Sequence, residues 1–153
     1  MRVRSGLVVV VATLLVSALL GACVPAQAQN LGVTPSPAGT PRIVFVHCED
    51  RGITSVALLV ASAALTASHV AWRIRSPRAS AASVFTVGRT PVGFHEAVPL
   101  TRRLPPHRRL YARVRTTVGS YGMAFRSLEL VPGMVTRPTG PVAELTFAEQ
   151  ACF

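Results

Sequence analysis

Arginine is the residue type whose number and placement carry the clearest chemistry. Arg102, Arg103, Arg108, Arg109, Arg113 and Arg115 crowd fourteen residues, and Arg73, Arg75 and Arg78 form a second group. All sixteen basic residues are Arg, against six Asp and Glu, for a formal charge of +10. A guanidinium is a planar, permanently charged fork that grips phosphate or carboxylate through two parallel hydrogen bonds. The chemistry on offer is therefore anion binding, although Arg can equally serve as plain solubilising charge where Lys is not used.

Groups that would make or break bonds are sparse. Glu49-Asp50 is the only adjacent carboxylate pair, and neighbours in a loop solvate or cap a turn more readily than they share a proton. His47, His69, His95 and His107 fall in four separate segments without H-x-x-x-H or H-E-x-x-H spacing, so no metal set is implied. Val118-Gly119-Ser120-Tyr121-Gly122 places Ser directly after Gly. It therefore lacks the G-x-S-x-G order of a nucleophile elbow and reads as a hairpin. His47-Cys48 is no dyad, because neighbours along a strand point to opposite faces. Phosphate loops and dinucleotide fingerprints are absent. The expectation is no catalytic residue, no metal and no cofactor; the rival is a small secreted hydrolase whose site only long-range convergence would form.

Met1-Arg2-Val3-Arg4 followed by the uncharged run Leu7–Leu20 has the basic n-region and short h-region of an export signal. The run is shorter than the roughly 20 residues that span a bilayer. It ends at Leu20-Gly21-Ala22-Cys23, which resembles the lipobox of bacterial lipoproteins. The resemblance implies a signal peptide over residues 1–22 and a diacylglyceryl thioether on Cys23; two acyl chains suffice for stable anchoring where one does not. The expected address is the outer face of the cell membrane. Ala26-Gln27-Ala28 offers a competing cleavage site that would release a secreted protein. Export argues against nucleic acid as a partner. Anionic lipid head groups or phosphate-rich envelope polymers remain as partners for the Arg residues, and no protein partner is implied.

Residues 23–41 contain Pro25, Pro35, Pro37 and Pro41 among Gly, Ser and Thr and read as a flexible linker with an r.m.s. span of about 24 Å. Once Cys23 is lipidated or removed, Cys48 and Cys152 remain. An even pair in an exported chain reads as a disulfide, with two free buried thiols as the alternative.

Residues 42–153 are cut by Pro and Gly into short segments without a helical period, which predicts an all-β domain. Val70, Trp72 and Ile74 alternate with Ala71, Arg73 and Arg75; Leu110, Ala112 and Val114 alternate with Tyr111, Arg113 and Arg115. Each of these strands should have one buried and one wet face. Further strands are expected at Ile43–Cys48, Ser55–Leu65, Ser83–Val87, Tyr121–Leu130 and Val142–Ala148, giving about seven in a sandwich. The uncharged run Ile53–Ser68 is too short and too rich in Ser, Thr and Ala to cross a membrane; it reads as a long buried strand or as two strands joined near Ala63.

His69-Val70-Ala71-Trp72, then Leu104-Pro105-Pro106 ahead of Leu110-Tyr111, resembles the buried-Trp and tyrosine-corner region of immunoglobulin-like and fibronectin type III sandwiches. The chain departs from that pattern at Arg113 and Arg115, where the family has apolar residues, so Tyr111 should face outward. The resemblance implies pairing of the third and sixth strands, which would join Arg73, Arg75, Arg113 and Arg115 into one anion-binding surface. Lipobox, all-Arg basicity and a small sandwich together resemble lipoproteins of high-GC Gram-positive bacteria. The function expected is a non-enzymatic structural or binding module of the cell envelope.

Overall fold

The alternation in residues 110–116 becomes strand geometry in the computed structural model of the chain, which describes residues 29–48, 52–62 and 68–152. In chain order the strands are β1 (Leu31–Pro35), β2 (Pro41–Phe45), β3 (Ile53–Ala61), β4 (Ser68–Ser80), β5 (Val84–Thr86), β6 (His95–Val98), β7 (Leu110–Thr116), β8 (Ser120–Phe125), β9 (Met134–Arg137) and β10 (Gly140–Ala143). Helix α1 (Glu144–Gln150) follows directly. The strands form two antiparallel sheets, ordered β10-β9-β1-β2-β5 and β6-β4-β3-β7-β8. They pack face to face as a β-sandwich, so the all-β expectation holds.

One core fills the space between the sheets. Leu31, Val33, Ile43, Phe45 and Phe85 point into it from the first sheet; Val56, Leu58, Trp72, Ile74, Leu110 and Val114 meet them from the second. Their period-2 spacing puts the intervening residues on the outer faces. The indole of Trp72 is fully buried, and its Nε1 donor has no hydrogen-bond partner among the described residues.

The outer faces differ. A second apolar cluster of Val44, Val135, Phe147 and Ala151 covers the first sheet, with α1 as its lid. Gly32, paired with Val44, makes room for it: a Cβ there would sit 2.2 Å from Val135 Cγ1 and 3.2 Å from Phe147 Cζ. The Cys48–Cys152 disulfide, with Cα atoms 5.2 Å apart, fixes the chain just past α1 to the segment leaving β2. An Arg42–Glu144 ion pair at 3.6 Å and a hydrogen bond from Arg137 Nη2 to Gln150 Oε1 at 3.1 Å hold the same helix to the sheet.

Several sequence expectations need correction. Residues 31–35, assigned to a linker, form β1, a strand inside the first sheet with Leu31 and Val33 fully buried. Pro35 and Pro41 are in register at the ends of a hairpin whose turn has Gly39 at φ 75°. A tight turn and a linker draw on the same Pro, Gly and Ser, so composition alone did not separate them. Val142–Ala148, read as one strand, divides into the end of β10 and the start of α1. With β1, β6 and β9 added, the count rises from seven to ten. The run Ile53–Ser68 takes the two-strand form, β3 ending at Ala61 and β4 starting at Ser68. Among the described residues no helix is long and apolar enough to cross a membrane. Trp72 lies on β4, and β4 and β7 are not neighbours: β3 runs between them.

Candidate functional site

Among the described residues no helix covers the second sheet, and its outer face is where the Arg residues converge. In β7 the buried residues are Leu110, Ala112, Val114 and Thr116, so Arg113 and Arg115 point outward, with Tyr111 half-buried beside them. In β4 Trp72 and Ile74 are buried, and Arg73 and Arg75 take the opposite face. The register through β3 aligns the two pairs. Ala57 is opposite Arg73 on one side and Arg113 on the other; Ser55 is opposite Arg75 and Arg115.

The result is a groove of about 390 Å³ whose walls carry the four Arg side chains and whose floor is Ser55 and Ala57. Ala57 is only 4% exposed on this wet face, because the long stems of Arg73 and Arg113 rise on either side of it. On the next strand Gly122 stands opposite Arg113 and Ser120 opposite Arg115, so small residues also leave room outside the β7 wall. Two backbone irregularities shape the site. Leu58 pairs with Trp72 and Leu59 with Val70, leaving Ala71 as an extra residue in β4; such a bulge sharpens the local twist. A second shift sets Thr54 at the groove mouth, between Ile53 and Ser55.

The polar groups of the groove fall into two kinds. The three hydroxyls donate to main-chain carbonyls: Thr54 Oγ1 to Arg115 at 3.3 Å, Ser55 Oγ to Ile74 at 3.0 Å, and Ser76 Oγ to Gly93 at 3.0 Å. Their protons serve the fold, and none is shared with His95, which lines the same groove from β6. The guanidiniums are free by contrast. Among the described residues the ion pairs are Arg42–Glu144 and Arg126–Glu129, and no carboxylate lines the groove.

Like charges about 10 Å apart, two strand spacings, repel by roughly 0.4 kcal/mol in bulk water. The fold tolerates that easily, and an anion placed midway between the walls adds an attraction to each cation at about half the distance, each roughly twice the size of that repulsion. The arrangement can therefore bind anions.

Arg73, Arg75, Arg113 and Arg115 thus share one face of the second sheet, though across β3 and not by direct pairing. Arg102, Arg103 and Arg108 do not join it; they lie in the β6–β7 connection, beside two other depressions of about 540 and 620 Å³. The sequence reading missed His95, Thr54, Ser55 and Ser76. The only signal for them was the Thr-Ser step preceding the apolar run of β3, and its meaning depends on β3 occupying the centre of the sheet. Among the described residues no group of three His, Cys, Asp or Glu side chains could hold a metal. Cys23, the expected lipid-attachment residue, and the Glu49-Asp50 pair lie outside the described residues. No known protein family, curated protein or solved structure matches the chain.

Proposed function

We propose that this chain is an exported envelope protein, tethered to the outer face of the membrane through Cys23, whose β-sandwich binds phosphate-bearing anionic envelope components. One observation carries the binding reading: four guanidiniums line a single groove in which, among the described residues, there is no carboxylate. Arg binds phosphate bidentately and cannot lose its charge near neutral pH, so a cluster of this kind is matched to anions. The lipobox resemblance supplies the address, and the open second sheet opposite the helix-covered first supplies the binding face.

The test is salt elution from phosphocellulose of two double variants with equal loss of charge. Arg113→Ala/Arg115→Ala removes one groove wall; Arg108→Ala/Arg109→Ala removes two charges from the β6–β7 connection. The groove variant should leave the column at clearly lower salt than both the parent and the loop variant. If the two variants elute together, retention follows net charge alone and the groove is not a binding site.

A further inference from the structure

The groove has an internal period that a single anion does not use. Arg73 and Arg113 form one rung over Ala57, and Arg75 and Arg115 form a second over Ser55. The rungs are two residues apart along β3, which is about 7 Å. Their backbone positions are held apart by Ile74 and Val114, which lie between the Arg residues of each wall and are buried in the core. We infer that the groove holds two successive phosphates of a linear phosphodiester polymer lying along β3, each clasped from both sides by one rung. This rests on the anion-binding reading above and specifies its ligand.

Three observations favour a threaded polymer. The floor residues are small, and Ser55 is bound down to the Ile74 carbonyl, so the floor between the two walls is low along β3. The groove volume of about 390 Å³ is of small-ligand size and exceeds what one tetrahedral oxyanion fills. The charges flank a recess, whereas a flat bilayer surface is met by protruding side chains. None of the exposed large apolar residues, Val84, Val92, Val118, Leu128, Val131 or Leu145, lines the groove. The ladder also stops at two rungs. The next row on this face is Val70, Leu59 and Tyr111, which carries no charge, so affinity should rise from one phosphate to two and then level off.

Calorimetric titration of the purified chain with propyl phosphate, with α,ω-alkanediol bisphosphates of increasing spacer and with a glycerol-phosphate trimer tests this. A bisphosphate whose phosphates reach about 7 Å apart should bind at least tenfold more tightly than the monophosphate, because its second contact is intramolecular. The trimer should add less than threefold. In Arg75→Ala/Arg115→Ala the bisphosphate should bind no more than twofold more tightly than the monophosphate, with circular dichroism confirming the fold. A bisphosphate advantage of twofold or less in the parent chain would overturn the two-rung site but leave anion binding standing. No binding of any phosphate would remove the anion-binding reading itself. Phosphatidylglycerol vesicles bound more tightly than the trimer, and not displaced by excess bisphosphate, would overturn the polymer in favour of a lipid surface.

Discussion

Arg73 and Arg113 are in register with the same residue, Ala57, one from each side of β3. Two cations from strands that do not pair are thereby held over one small side chain. A carboxylate introduced between them should act as a built-in counter-ion. Ala57→Glu is expected to lower the salt needed to elute the chain from phosphocellulose as far as Arg113→Ala/Arg115→Ala does. Because Ala57 is only 4% exposed, the larger side chain must push the Arg73 and Arg113 stems aside, and stability should fall by about 1 to 3 kcal/mol. Unchanged retention would place the anion contact elsewhere.

The strand register predicts opposite outcomes for inward and outward residues. Trp72→Ala should destabilise by about 3 to 5 kcal/mol through cavity formation, whereas Arg113→Ala or Arg115→Ala should stay within about 0.5 kcal/mol. Trp72→Phe should cost less than Trp72→Ala, because it keeps a ring and removes the buried Nε1 donor that has no partner. Urea unfolding of the four variants decides this; a Trp72→Ala loss below 1 kcal/mol would contradict the buried position.

Gly32 lies beneath Val135 and Phe147. Gly32→Ala should cost about 1 to 3 kcal/mol by overpacking. Gly119→Ala, where a Cβ meets nothing within 4 Å, should be nearly neutral. Equal effects in thermal unfolding would mean that α1 does not pack as described.

Intact mass before and after reduction should differ by two hydrogens, assigned to the Cys48–Cys152 bond. Its reduction should cost about 2 to 5 kcal/mol, and amide exchange should accelerate first in α1, which the bond ties to the first sheet. Two alkylatable thiols in non-reduced, denatured protein would refute the bridge in solution.

Cys23→Ala should move the chain from the membrane fraction to the medium, read by fractionation and immunoblotting of intact cells. Continued membrane association would sink the lipid anchor and point to another mode of attachment.

The sequence by itself determined the all-β class and the inward residues of β4 and β7, because a period of two sorts side chains to faces before any partner strand is known. It also offered Cys48 and Cys152 as a disulfide if Cys23 is set aside, with two free thiols as the alternative, and the tertiary structure joins them. Tertiary structure decided what period cannot encode. Leu31–Pro35 is too short and too close to Pro and Gly to declare itself a strand; it becomes one because β2 and β9 hydrogen-bond to it and its alternate residues fill the core. Glu144–Gln150 buries only Phe147 among its own residues, a single contact that leaves no helical stripe to read. The groove required both kinds of information. Alternation turned four arginines outward, but only the insertion of β3 between β4 and β7 set them across Ala57 and Ser55, because the neighbour of a strand is chosen by the packing of the whole sheet and not by the strand's own residues.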